Sequence, residues 1–144
     1  MFFAIFDIIT IGLPFCVFKI IAGIHFQQYW LILLGLADLI INLVNFVLIL
    51  IKKDKIFDTC LLSFLVHKIK HPSEDIKSKW QDLGESLDVL LSFSIVAYVI
   101  GLGHITNLVA NHVMLWNIAV VLNVLGAGYG RLMNSVKRIK ENQL

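Results

Sequence analysis

Gly35, Asp38, Asn42 and Asn45 recur at i, i+3, i+7 and i+10 in a stretch that is otherwise apolar. On a helix these four positions fall within one narrow arc. An ionisable side chain on such an arc is costly in hydrocarbon, and it marks either a functional site or a hydrogen bond between helices. The first reading is a proton or cation site centred on Asp38. The second is helix–helix adhesion, with Asp38 protonated or paired and each bond contributing on average ~0.6 kcal/mol. Adhesion is the preferred expectation. Lys19 lies in the preceding apolar stretch. Its simpler reading is snorkelling to the nearby boundary, and the alternative is an ion pair with Asp38. Asp7 sits where it can reach water at the other boundary.

A second polar face follows later in the chain. Trp116, Ala119, Asn123, Gly126 and Gly130 share one side of a helix, and Gly126-xxx-Gly130 is a spacing that lets two backbones approach closely. Asn123 falls at roughly the depth of Asn42, so the fourth segment is expected to pack on the second through this pair. Asn117 and Gly128 face the opposite way and call for a further partner. Tyr98, with Ser94 and Gly101, places a hydroxyl where it needs a partner.

His25, His104 and His112 all fall near one boundary. Imidazole ligates metals and haem, so three convergent histidines would form a metal or haem site, although no spacing such as HExxH supports it. Enzyme chemistry is not expected. Ser92, Ser94 and Ser135 lack a nucleophile-elbow context, Asp88 reads as a helix-start residue near the interface, and the glycines at 126–130 lack the strand–turn–helix setting of a phosphate loop. Cys16 and Cys60 have no zinc or redox spacing, and a disulfide between them is not expected.

The elements that must position these residues are membrane spans. The 144-residue chain is 58% hydrophobic and 15% charged, with a mean hydropathy of +0.84. A soluble domain carries about 25% charged residues. Crossing the hydrocarbon core takes about 20 apolar residues, and four segments approach that: roughly 2–22 with Pro14 inside it, 29–51, 87–105 and 113–133. The fold expected is therefore all-α and integral to the membrane, with four transmembrane helices arranged as two hairpins. The N-terminal MFFAIFD has no basic region of the kind that opens a secretory signal.

Between the hairpins lies a hydrophilic segment, 52–86, with seven of the twelve Lys and Arg residues. A basic tail, 134–144, follows the last span. Eleven of the twelve basic residues fall on one side of a four-span arrangement, which makes that side cytoplasmic and puts both termini there. Within the central segment, Phe57 to Val66 reads as an amphipathic helix too short to span. Ile76, Trp80, Leu83 and Leu87 form a second apolar stripe that leads into span three and bends near Gly84. Such interfacial helices make Phe57, Phe64 and Trp80 the expected surface for a partner.

A net charge of +2 excludes the electrostatics of a nucleic-acid binder. Three functions stay open: a non-enzymatic accessory subunit that packs on other membrane proteins or on itself; a small oligomeric transporter, channel or hole-forming protein that uses the Asp38 stripe; and a haem- or metal-binding redox subunit. A bacterial inner membrane is the expected location.

Overall fold

The structure, a computed structural model, describes residues 2–51, 61 and 74–141. Its elements are α1 (Phe2–Asp7), a π-helical turn (Ile8–Gly12), α2 (Leu13–His25), α3 (Tyr29–Leu50), α4 (Glu74–Gly101), a 3-10 turn (His104–Asn107) and α5 (Ala110–Glu141). No strand occurs among the described residues. Four helical stretches are long and apolar enough to cross a membrane: Ala4–His25, Tyr29–Leu50, Leu83–Gly101 and Ala110–Gly130. These are the makings of a multi-pass membrane protein.

The first span is the centre of the molecule. α2 packs against α3, α4 and α5, and the π turn packs against α3 and α5. Its share of buried residues is 44%, against 28%, 22% and 22% for the other three. Phe15, Phe18, Ile21 and Ala22 of α2 meet Leu31 of α3, Val99 of α4, and Trp116 and Ala119 of α5 in one cluster. Phe18 lies 4.9 Å from the Trp116 ring and Phe15 5.7 Å from Phe93, both within the range of attractive aromatic pairs.

Pro14 explains the π turn. Proline has no N–H to donate and its ring crowds the carbonyl of residue i−4, here Thr10. A π-helical turn over Ile8–Gly12 absorbs the misfit just ahead of the ring, and Pro14 enters the first turn of α2, where a missing donor costs nothing. The span continues through the distortion as one helical rod.

α2 and α3 are joined by three residues. The Gln28 amide donates to Gly23 O at 2.8 Å and the Gln27 amide to Ile24 O at 3.3 Å, which is the Schellman closure of a helix C-terminus. The closure needs a left-handed residue, and Gln27 supplies it at φ 55°. A side chain in that region costs about 1–2 kcal/mol. Gln27→Gly is therefore expected to stabilise the protein by about 1 kcal/mol, read as a raised unfolding midpoint in detergent. An unchanged or lowered midpoint would count against the turn.

Three expectations are corrected here. α4 is unbroken from Glu74 to Gly101, so the helix ahead of span three is continuous with that span and is not a separate element. Span three ends at Gly101 and leaves Ile105 in the 3-10 turn. Span four packs on span one instead of span two: a Cβ at Gly126 would lie 2.5 Å from Thr10 Oγ1 and 2.8 Å from Thr10 Cβ, whereas a Cβ at Gly130 would meet nothing within 4 Å among the described residues. The glycine pair thus splits into one packed position and one open one. Gly126→Leu is expected to lower the unfolding midpoint and Gly130→Leu to leave it unchanged. Equal sensitivity would contradict this packing.

Candidate functional site

The centre of the protein holds a buried ion network. Lys19 on α2 is 0% exposed, Asp38 on α3 is 2% and Asp88 on α4 is 5%. Lys19 Nζ donates to Asp38 Oδ2 at 2.6 Å and also to Asp88 Oδ1. One ammonium thus ties three helices together. At 1.5 Å per residue, Lys19 is about 9 Å from the His25 end of its span, Asp38 about 13 Å from Tyr29, and Asp88 about 20 Å from Gly101. The long lysine side chain closes the difference in depth, so the three charges meet inside the apolar slab.

Snorkelling by Lys19 is ruled out, because α2 is the helix surrounded by the other three and its Lys19 has no path along lipid. The reading of Asp88 as an interfacial helix-start residue also fails. α4 begins at Glu74, so Asp88 is fourteen positions inside the helix. The signal for Asp88 was present: Glu85, Asp88 and Ser92 recur at i, i+3 and i+7 and share a helix face.

Asp38 receives a second donor. The backbone N–H of Leu61 lies 2.6 Å from Oδ1. Both oxygens of Asp38 therefore accept. Leu61 belongs to the stretch expected on the membrane surface, yet its amide reaches a carboxylate in the middle of a span. Phe57 and Phe64, the expected partner surface, lie outside the described residues, and Trp80 falls within α4.

The remaining stripe residues line the same region. Asn42 is 2% exposed; its Nδ2 donates to Asp38 O at 2.9 Å and lies 3.9 Å from Cys16 Sγ. Gly12 and Gly35 let α3 approach this closely. A Cβ at Gly35 would stand 3.1 Å from Cys16 O and 3.0 Å from Lys19 Cβ. Asn45 is fully buried. Asn123 Nδ2 donates to Thr10 O at 3.5 Å, so its polar partner is on span one and the expected Asn42–Asn123 pair is replaced. Asn117 faces outward.

A cavity of about 340 Å³ adjoins the network. Its polar lining is Asp7, Lys19, Asp38, Asn42, Glu85 and Asp88. Asp7 is exposed and lies twelve positions, about 18 Å along the helix, from Lys19. The cavity thus connects the buried charges with the Asp7 end of the bundle. Among the described residues, four carboxyl groups and one ammonium line it. A low-dielectric, acid-lined cleft concentrates cations and repels anions.

At the opposite end, His25 and His104 approach to 5.5 Å between ring centroids, with Phe26 and Tyr98 packed around His104 at 5.0 and 5.7 Å. Tyr98 is 52% exposed and stacks on His104, so its hydroxyl is not held deep in the bundle. The ring cluster unites two of the three histidines proposed as ligands. Among the described residues, no group of three or more His, Cys, Asp or Glu side chains is positioned to hold a metal. Compared with protein-family models, with curated proteins and with solved structures, the chain matches none.

Proposed function

We propose that this chain is a small membrane transport protein that moves a proton or small cation through the acidic cavity to the Lys19–Asp38–Asp88 network. The network itself carries this reading. Each Asp or Lys at the centre of a span costs about 2.5–3.5 kcal/mol, while a hydrogen bond between helices contributes on average only ~0.6 kcal/mol. Adhesion alone is supplied more cheaply by Asn or Ser, and the fold already uses Asn123 in that way, bonding the fourth span to the first. Three charges on three different helices, beside a cleft that leads to an exposed acid, fit a conducted ion better.

The orientation proposed is the one the basic residues favour: two helical hairpins, both termini cytoplasmic, and the mouth of the cavity on that side. A bacterial inner membrane is the proposed setting.

The test is ion flux in proteoliposomes containing a pH-sensitive dye, under an imposed membrane potential. The wild type is expected to acidify the interior, and Asp38→Asn to fall to the level of protein-free liposomes. Flux unchanged by Asp38→Asn would remove this site from the mechanism.

A second reading is favoured by one observation. Asn117 lies on an exposed face of α5, one that also carries Val121 and Val124 at 59% and 65% exposure and the open Gly128. A polar side chain facing lipid is unfavourable, so an accessory or self-associating subunit would cover this face. Asn117→Leu is expected to shift the complex to a smaller species on size exclusion. If elution is unchanged, this face is not an interface.

A further inference from the structure

We infer that the ion carried is a proton and that Asp88, rather than Asp38, is the group that holds it. The inference rests on the transport reading for its purpose, but the protonation argument stands on geometry alone. Two carboxylates and one ammonium sum to a net negative charge, and an unbalanced charge inside a membrane span is far more costly than a balanced pair. The cluster becomes neutral by holding one proton.

Hydrogen bonding decides which carboxyl holds it. Asp38 accepts from Lys19 Nζ on Oδ2 and from the Leu61 amide on Oδ1. Both oxygens of Asp38 are thus already taken up by fixed donors, on two different parts of the chain. Asp88 accepts from Lys19 on Oδ1 only, and among the described residues its Oδ2 has no donor. Asp88 also lines the cavity and retains 5% exposure, so a proton on Oδ2 has a route out.

A second observation points to the same place. Ser92 lies one turn from Asp88 on the same helix face, is 0% exposed, and its hydroxyl has no hydrogen-bond partner among the described residues. A buried hydroxyl without a partner costs about 1–3 kcal/mol. A water or hydrated proton beside Asp88 would satisfy it.

The charged groups around Asp88 complete the picture. Lys19 and Asp7 face the cavity from the first span, Asp38 from the second, and Glu85 from α4 itself. When the Oδ2–H bond breaks, the proton passes to water in the cavity and then towards Glu85 and Asp7. Asp88 remains as a carboxylate held by Lys19, which keeps its own proton throughout. Reloading reverses the step.

Infrared spectroscopy of the protein in phosphatidylcholine vesicles tests the assignment. The wild type at neutral pH is expected to show the C=O stretch of a protonated carboxyl, which converts to carboxylate as the pH rises. Labelling the aspartate side-chain carboxyls with carbon-13 is expected to shift that band. In Asp88→Glu the band is expected to persist and to ignore the aspartate label, because its carrier is now a glutamate. In Asp38→Glu it is expected to keep the label shift. A label-sensitive band in Asp88→Glu, a label-insensitive one in Asp38→Glu, or no protonated carboxyl in the wild type would each overturn the assignment. If Asp88→Glu does not fold, Asp38→Glu still decides through its label shift. Absent flux with this label pattern would discard the transport reading alone. Intact flux with the opposite pattern would discard only the assignment to Asp88.

Discussion

Lys19→Met is expected to destabilise the protein by about 3–5 kcal/mol, the cost of breaking a buried ion pair by removing one partner. Methionine matches the length and apolar volume of the lysine stem, so the packing of the span changes little. The ammonium, however, is the donor shared by Asp38 and Asp88. Without it, two carboxyl groups at 2% and 5% exposure are left side by side. The combined variant Lys19→Met, Asp38→Asn, Asp88→Asn removes all three charges and is expected to regain most of the loss, since neutral amides can bond to each other across the same gap. Unfolding midpoints and the monodisperse fraction in detergent measure both effects. A single variant as stable as the wild type, or a triple variant no better than the single one, would show that the network does not hold the helices together.

Gly23→Ala is expected to destabilise by about 1–3 kcal/mol, as overpacking does in a filled interior. A Cβ there would lie 2.6 Å from Ile32 Cγ1 and 2.9 Å from the Ile32 backbone nitrogen. The side chain can rotate away but the backbone cannot, and Gly23 O is also the acceptor that closes the turn into α3. The matched control is Gly101→Ala. A Cβ there would meet nothing within 4 Å among the described residues, and replacing a helical glycine by alanine is expected to gain about 0.5–1 kcal/mol. Opposite signs for the two substitutions in thermal unfolding would support the close approach of spans one and two. Equal signs would refute it.

Much of the site was legible in the residues taken alone. The arc of Gly35, Asp38, Asn42 and Asn45 depends only on helical period, and all four are buried. The burial of Lys19 was not legible, because snorkelling and pairing have the same local sequence and differ only in what surrounds the helix. Asp88 was obscured by the polar residues before it, which suggested a helix start where the helix is in fact already nearly four turns long. The Asn123 partner was misassigned because depth was matched without knowing which helix lay beside it.

The four spans needed no tertiary information. Length and hydropathy define them, since an unpaired backbone in hydrocarbon must become helix wherever about 20 apolar residues run together. The choice of central helix is a different kind of fact. Every span is greasy enough for any position, and lipid is as apolar as the neighbouring side chains, so hydropathy does not rank them. Close packing does: Gly23, Gly35 and Gly126 bring the second and fourth spans onto the first, and the π turn at Ile8–Gly12 fits the first between them. Once the Ala4–His25 span occupies the centre, Lys19 has nowhere to go but to Asp38 and Asp88, and three isolated charges become one site.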